Sequence, residues 1–255
     1  MNYDRYFSRG QKVYLINISQ TRDESIYESF SATIVSSSEN CITLKAPYRL
    51  FSNESSLTPG MQFKLSTESF GVGVQLRAEL TATPAEETLE VKPLGGMEIY
   101  QRRQMPRVDV NLPFLHVLQK SSLAAFKREW HRVVADLHQP APPRLKLSET
   151  SLNLSVGGIR FDLATAPTPL AMVVIDLQDG APPICAVVEL VWQKTRQEDG
   201  MLACGHRFLE ILKEDQIRLS AFIDKVGTGS GGRIKDNWDL LDKMMSAQAD
   251  EQAKH

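Results

Sequence analysis

SLNLSVGGIRFDL, residues 151–163, sets Leu152, Leu154, Ile159, Phe161 and Leu163 at alternate positions on either side of the double glycine Gly157-Gly158. Apolar side chains at every second position mark a strand with one buried face. Glycine at the break lets the backbone turn at φ > 0, or approach another group with no Cβ in the way. The stretch therefore reads as strand text folded about a tight turn, with Asn153 and Ser155 on the polar side.

The same texture spreads outward. VDVNLPFLHVL (108–118), LAMVVIDL (170–177), ICAVVELVWQKT (184–195) and LACGHRFLEIL (202–212) extend a β-domain over about residues 108 to 212. Upstream, KVYLINI (12–18), SATIVSS (31–37), CITLKA (41–46), QFKLS (62–66), GVGVQLRAEL (71–80) and TLEVKPL (88–94) make a second series of short strands. Helical crossovers are missing from that series, so small barrels or sandwiches are expected rather than βαβ units. The fold class is mainly β: two small β-barrel domains with a few peripheral helices.

Three helices are expected. Leu123, Phe126, Trp130, Val133, Val134 and Leu137 recur at helical spacing between Ser121 and His138, with Ser121 or Ser122 as N-cap, and the Pro140 to Pro143 cluster ends the run. A second helix from Glu214 to Val226 carries Ile217, Leu219, Phe222, Ile223 and Val226 and is the expected cap over an open barrel end. The division is then 1–95 for a first barrel, 96–107 for a linker with Gly95-Gly96 as hinge, 108–228 for a second barrel interrupted by the 121–138 helix, and 229–255 for a flexible linker and an amphipathic tail helix built on Ile234, Trp238, Leu241 and Met245.

Composition bounds the function classes. The chain has 255 residues, 42% of them hydrophobic and 24% charged, and a formal net charge of -2, which offers no global attraction to nucleic acid or an anionic membrane. An anion site must be a local cluster of basic side chains. Cys41, Cys185 and Cys204 form no CxxC pair, which argues against a disulfide scaffold or a zinc site and fits a reducing cytoplasm. Neither a signal-peptide core nor an apolar run of about 20 residues is present, so a cytoplasmic protein, not membrane-embedded, is expected.

The basic cluster is found at Arg102-Arg103-Gln104-Met105-Pro106-Arg107. A guanidinium matches a phosphate, or the O6/N7 edge of guanine, with two parallel hydrogen bonds, and its flat face stacks on a purine. Pro106 fixes its own φ and biases Met105 towards an extended conformation, where Arg103 and Arg107, four residues apart, share a side. Alone, this run also reads as an exposed basic linker. Asn153 can donate and accept towards a base edge, Ser155 can donate to a phosphate oxygen, and Gly158 admits a close approach; alone, these residues also read as a turn whose side chains cap their own backbone.

In order, the two motifs resemble the PilZ domain signature, RxxxR followed by (D/N)xSxxG, here Arg103-Gln-Met-Pro-Arg107 and Asn153-Leu-Ser155-Val-Gly-Gly158. The resemblance covers roughly residues 100 to 226, and the preceding β-rich region makes the layout similar to the YcgR-like proteins. It implies a bacterial receptor for cyclic di-GMP that is not an enzyme. Arg103 and Arg107 would contact phosphates and guanine edges, Asn153 and Ser155 would complete the pocket, and Gly158 would shape the turn. Arg102 would add a guanidinium for an intercalated pair of nucleotides. The implied partners are cyclic di-GMP and a protein, such as a flagellar motor or other effector complex, with motility or a biofilm-related process as output; neither nucleic acid nor metal is expected. The distance from Arg107 to Asn153 departs from the family, and the 121–138 helix is the insertion that accounts for it.

Rival readings are a PilZ-like protein-interaction scaffold without nucleotide binding, and a single-stranded nucleic-acid binder on an OB-like barrel, which needs an extended basic groove with exposed aromatics. Gly227, Gly229 and Gly232 match GxGxxG but follow a helix, with Arg233 and Ile234 where a phosphate loop needs Lys and Ser or Thr. The five histidines show no metal-ligand spacing; His206 and Arg207, next to the expected last barrel strand, are within approach of a ligand but are left outside the expected site.

Overall fold

A computed structural model of the chain describes residues 6–20, 22–50, 57–69, 72–100 and 106–228. The first barrel is built from β1 (Lys12–Asn17), β2 (Ile26–Ser37), β3 (Ile42–Lys45), β4 (Gln62–Ser69), β5 (Val72–Ala85) and β6 (Thr88–Tyr100). The second uses β7 (Val108–Leu118), β8 (Ser148–Ser155), β9 (Gly158–Leu163), β10 (Leu170–Ile175), β11 (Ile184–Thr195) and β12 (Leu202–Leu212). Helix α1 (Leu123–Leu137) separates β7 from β8, and α2 (Lys213–Thr228) follows β12. The antiparallel order β1-β4-β5-β6-β3-β2 closes through β1–β2, and β12-β11-β10-β7-β8-β9 closes through β12–β9, so the expected pair of barrels is present.

Alternation places one side of each strand inside. Val13, Leu15, Phe30, Phe63, Leu65 and Leu76 fill the first barrel, where Phe30 meets Phe63 edge to face at 5.6 Å. Leu154, Ile159, Phe161, Val173, Val188 and Phe208 fill the second, and Leu219 and Ile223 of α2 join that core, as a capping helix should. α2 continues through Gly227 to Thr228, so the glycine-rich text opens inside the helix.

Strand β10 breaks the alternation because both of its faces are buried. Ala171, Val173 and Ile175 point into the barrel, while Leu170, Met172 and Val174 meet Leu123, Phe126 and Trp130 of α1 in a cluster shared with the first barrel. The insertion helix therefore lies outside the barrel as a wedge between domains. Ser122 caps it, accepting from the Ala125 N–H at 3.3 Å, and two first-turn donors, Leu123 and Ala124, bond to the carbonyls of Arg49 and Leu50 at 2.8 and 3.1 Å. Trp130 is fully buried and its indole N–H donates to the Cys185 carbonyl at 2.8 Å.

The barrels are also stitched strand to strand, through Glu210 opposite Glu28, Ile211 opposite Tyr27 and Leu212 opposite Ile26. Lys127 of α1 reaches both acids, contacting Glu28 and lying 3.2 Å from Glu210 Oε2; burial pushes the Lys127 pKa down and that of Glu210 up. Glu189 of β11, 1% exposed, accepts from Lys12 at 3.1 Å, from Ser31 and from the Tyr48 hydroxyl at 3.2 Å, all in the first barrel.

The 96–107 linker needs a correction. Strand β6 runs to Tyr100, and Gly95-Gly96 lies within it, Gly95 at φ +86°, where the pairing with β5 shifts register between Gln75 and Arg77. This is a β-bulge, in which glycine accommodates extra residues, and not a hinge. Residues 96–100 thus belong to the first barrel's sheet. The tail helix expected in 229–255 lies outside the described residues.

Two outcomes test this packing. Trp130→Ala should cost about 3–5 kcal/mol in urea denaturation, since it opens a cavity at the wedge and strands the Cys185 carbonyl; a loss below about 1 kcal/mol would show that α1 does not hold the barrels together. His206 points into the second barrel, its ring stacked on Phe161 at 4.5 Å with no well-aligned partner for either nitrogen, and burial lowers its pKa from the usual 6.5 to about 4. The unfolded chain takes up that proton first as pH falls, so this contribution is intact above pH 6.5 and is lost between 6.5 and about 4, roughly 3 kcal/mol in all. His206→Phe should flatten the pH dependence of unfolding in that window, and an unchanged slope would count against the assignment.

Candidate functional site

Residues directly opposite in antiparallel strands share a face. Around the β8–β9 hairpin this rule generates two cross-strand rows outside the second barrel. One runs Asp109, Asn153, Arg160, Gly205, Trp192 across β7, β8, β9, β12 and β11. The other runs Ser155, Gly158, Arg207, Glu189. Leu154, Ile159 and His206 between them point inward, His206 stacked on Phe161, which fixes the rows as outward-facing.

Asn153 donates its amide to Asp109 Oδ1 at 3.0 Å, and Arg160 reaches the same oxygen at 3.2 Å. Asp109 is largely exposed, so this ion pair orients the two side chains and adds little stability. Ser155 is 8% exposed and its hydroxyl donates to the Gly158 carbonyl at 3.2 Å, closing the hairpin. The turn-capping role open to this residue from sequence is thus realised.

Gly158 is needed for a reason that the sequence did not disclose. It has no left-handed φ; instead, a Cβ there would sit 2.3 Å from the His206 carbonyl oxygen. The turn lies directly against β12, with the Phe208 N–H donating to the Gly157 carbonyl at 3.1 Å. Any larger residue would lift the hairpin off that strand.

Arg107 is exposed one residue ahead of β7, and Val108 pairs with Leu154, so it stands at the edge of the face beside Ser155. Arg102 and Arg103 lie outside the described residues. Of the six expected residues, Arg107, Asn153, Ser155 and Gly158 are brought to one corner of the barrel.

Three further side chains share this face and were not expected. Arg160 was within reach, since period two across a two-residue hairpin returns it beside Asn153. Trp192, 42% exposed, lies over Gly205, where a Cβ would meet the indole at 2.2 Å; only the strand pairing reveals this, because β11 shifts register between Leu190 and Trp192. Arg207 leaves the face towards the first barrel, its guanidinium 4.0 Å above the Tyr14 ring and 3.4 Å from the Tyr27 hydroxyl. The corner thus offers guanidinium forks, an indole face and amide and hydroxyl groups, a set suited to a phosphorylated aromatic ligand. Among the described residues, no group of three or more His, Cys, Asp or Glu is placed to hold a metal ion, and no helix is long and apolar enough to cross a membrane.

The PilZ domain family model matches residues 101–225. No curated protein matches the chain. Solved structures similar to it include the Bacillus subtilis inhibitor of motility MotI/DgrA, at 15% identity over 88% of this chain and 99% of that one, with a TM-score of 0.37. K. pneumonia MrkH in its apo state is similar at 14% identity over 89% and 91% of the two chains, TM-score 0.37. Borreliella burgdorferi PlzA in complex with c-di-GMP follows at 10% identity over 86% and 90%, TM-score 0.21. The family match spans β7 to β12 and contains both halves of the hairpin signature, so the second barrel is a PilZ domain and the chain is a PilZ-domain protein.

Proposed function

We propose that the chain is a cyclic di-GMP receptor that carries no catalytic activity and signals by changing the arrangement of its two barrels. The observation that carries this reading is the gathering of Asn153, Ser155, Gly158 and Arg107 at one corner of a PilZ barrel, immediately beside the first barrel. Arg103 and Arg107 grip the phosphates and guanine edges. Asn153, already oriented by Asp109, reads a base edge, and Ser155 and Gly158 shape the floor of the site. Arg102 accommodates a second, intercalated nucleotide. Trp192 offers an exposed ring face for stacking.

The first barrel acts as a YcgR-like accessory domain. A ligand shifts a conformational equilibrium only by as much as its contacts differ between the states. Linker arginines that fold back onto the corner supply such a difference, because the linker joins the end of β6 to the start of β7. The output is an altered surface for a protein partner in a bacterial cytoplasm, where three free cysteines are at home, and flagellar motility or a biofilm-related process is the class of output. The second reading, a scaffold without nucleotide, draws on the hydrogen bonds that Asn153 and Ser155 already make within the fold.

Calorimetric titration with cyclic di-GMP separates these readings, and heat no greater than dilution favours the scaffold. Arg103→Ala and Arg107→Ala should each abolish binding while the melting temperature of the free protein stays nearly unchanged; a large drop would assign those side chains to the fold instead. Arg102→Ala should convert a bound pair of nucleotides into a single one, and an unaltered ratio removes the case for the pair.

A further inference from the structure

Strand β12 divides its free edge between two neighbours. Residues Leu202 to Arg207 pair with β9 of the PilZ barrel, and Glu210 to Leu212 pair with β2 of the first barrel. Arg207 is the last residue before the fork. Its backbone lies opposite Gly158, and its side chain rises on the same face as Ser155, with only a glycine between them.

The surroundings of this guanidinium are incomplete. It carries five N–H donors. One makes a long hydrogen bond, 3.4 Å to the Tyr27 hydroxyl, and one flat face covers the Tyr14 ring. Among the described residues, no carboxylate lies within ion-pair distance of it. Glu189, directly opposite on β11, already accepts from Lys12, Ser31 and Tyr48. A partly buried cation with unused donors beside a hairpin of the PilZ signature is matched by an anion, and a phosphate fits the fork of a guanidinium.

We infer that Arg207 is a ligand-binding residue of the same site, taking a phosphate of the nucleotide with its free donors while it remains stacked on Tyr14. This rests on the cyclic di-GMP reading above. It makes the first barrel part of the site through one side chain. Tyr14 supports the guanidinium from below and Tyr27 orients its edge, so occupancy of the PilZ corner is felt by the neighbouring domain without a moving linker.

The test is calorimetry with cyclic di-GMP on the full chain, at low and moderate salt, for the parent, Arg207→Gln, Arg207→Lys, Tyr14→Leu and the double variant Arg207→Gln/Tyr14→Leu. Arg207→Gln should weaken binding roughly 10- to 100-fold, the range for a lost charged hydrogen bond, and make it less sensitive to salt. Arg207→Lys, which keeps the charge and most of the stem, should retain part of the affinity and the parent's salt dependence; it also serves if the glutamine variant folds poorly. Tyr14→Leu should weaken binding in the parent and have no further effect once Arg207 is glutamine, a non-additivity that general loss of stability does not produce. Unchanged affinity and salt dependence in folded Arg207→Gln, or full additivity of the two substitutions, overturns the inference while leaving the receptor reading intact. Failure of the parent to bind cyclic di-GMP overturns the receptor reading itself.

Discussion

The junction of the two barrels depends on β12 having two partners on the same edge. A barrel closes only when its last strand finds its first, and β12 closes the PilZ ring against β9 with its leading half, then turns its trailing half to β2. The handover occurs within two residues, Phe208 and Leu209, whose side chains point into different cores. Main-chain hydrogen bonds set this seam in register, and the register places Glu28 against Glu210. A buried acid facing a half-buried one is tolerable only with a cation between them, which is the place that Lys127 takes.

The position of the functional corner follows from that seam. Because the β8–β9 hairpin ends where β12 departs for β2, the PilZ signature lies at the domain boundary and not on a remote side of the barrel. Gly158 is the steric condition for it: the hairpin rests on the main chain of β12, and the residues on either side of that contact, Ser155 and Arg207, belong to one row. Asn153 and Ser155 hold their positions through bonds to Asp109 and to the hairpin itself. A surface already in place loses less side-chain entropy when a ligand arrives.

Much of the fold could be read from the sequence because the strand text is bounded by turns. VDVNLPFLHVL and ICAVVELVWQKT coincide with β7 and β11, and the Ser121 to His138 periodicity contains α1 with Ser122 as its cap. Legibility failed where a second partner erases the alternation. The strand text at 31–37 is only the latter part of β2, which starts at Ile26; residues 29–32, next to the seam, are buried on both faces, and no period-two pattern survives there. The bulge at Gly95-Gly96 looked like a hinge for a similar reason, since glycines signal a departure from regular backbone without saying which. In the site, the hairpin residues were accessible through local period two. Trp192 and Arg207 were not, because their membership depends on long-range pairings of β12, with β11 across a register shift for Trp192 and with β9 for Arg207.

The wedge formed by α1 bears on what counts as a unit of this protein. Homology draws its boundary near residue 101, yet the outer face of β10, the carbonyls of Arg49 and Leu50, and the indole of Trp130 cross that boundary in one apolar cluster. A PilZ segment cut free would present that cluster to water, with Lys127 parted from Glu28 and Glu189 parted from Lys12. The boundary that sequence similarity draws and the boundary that burial draws therefore diverge in this chain: the recognisable domain begins near residue 101, but one face of it is covered from water only by the other barrel.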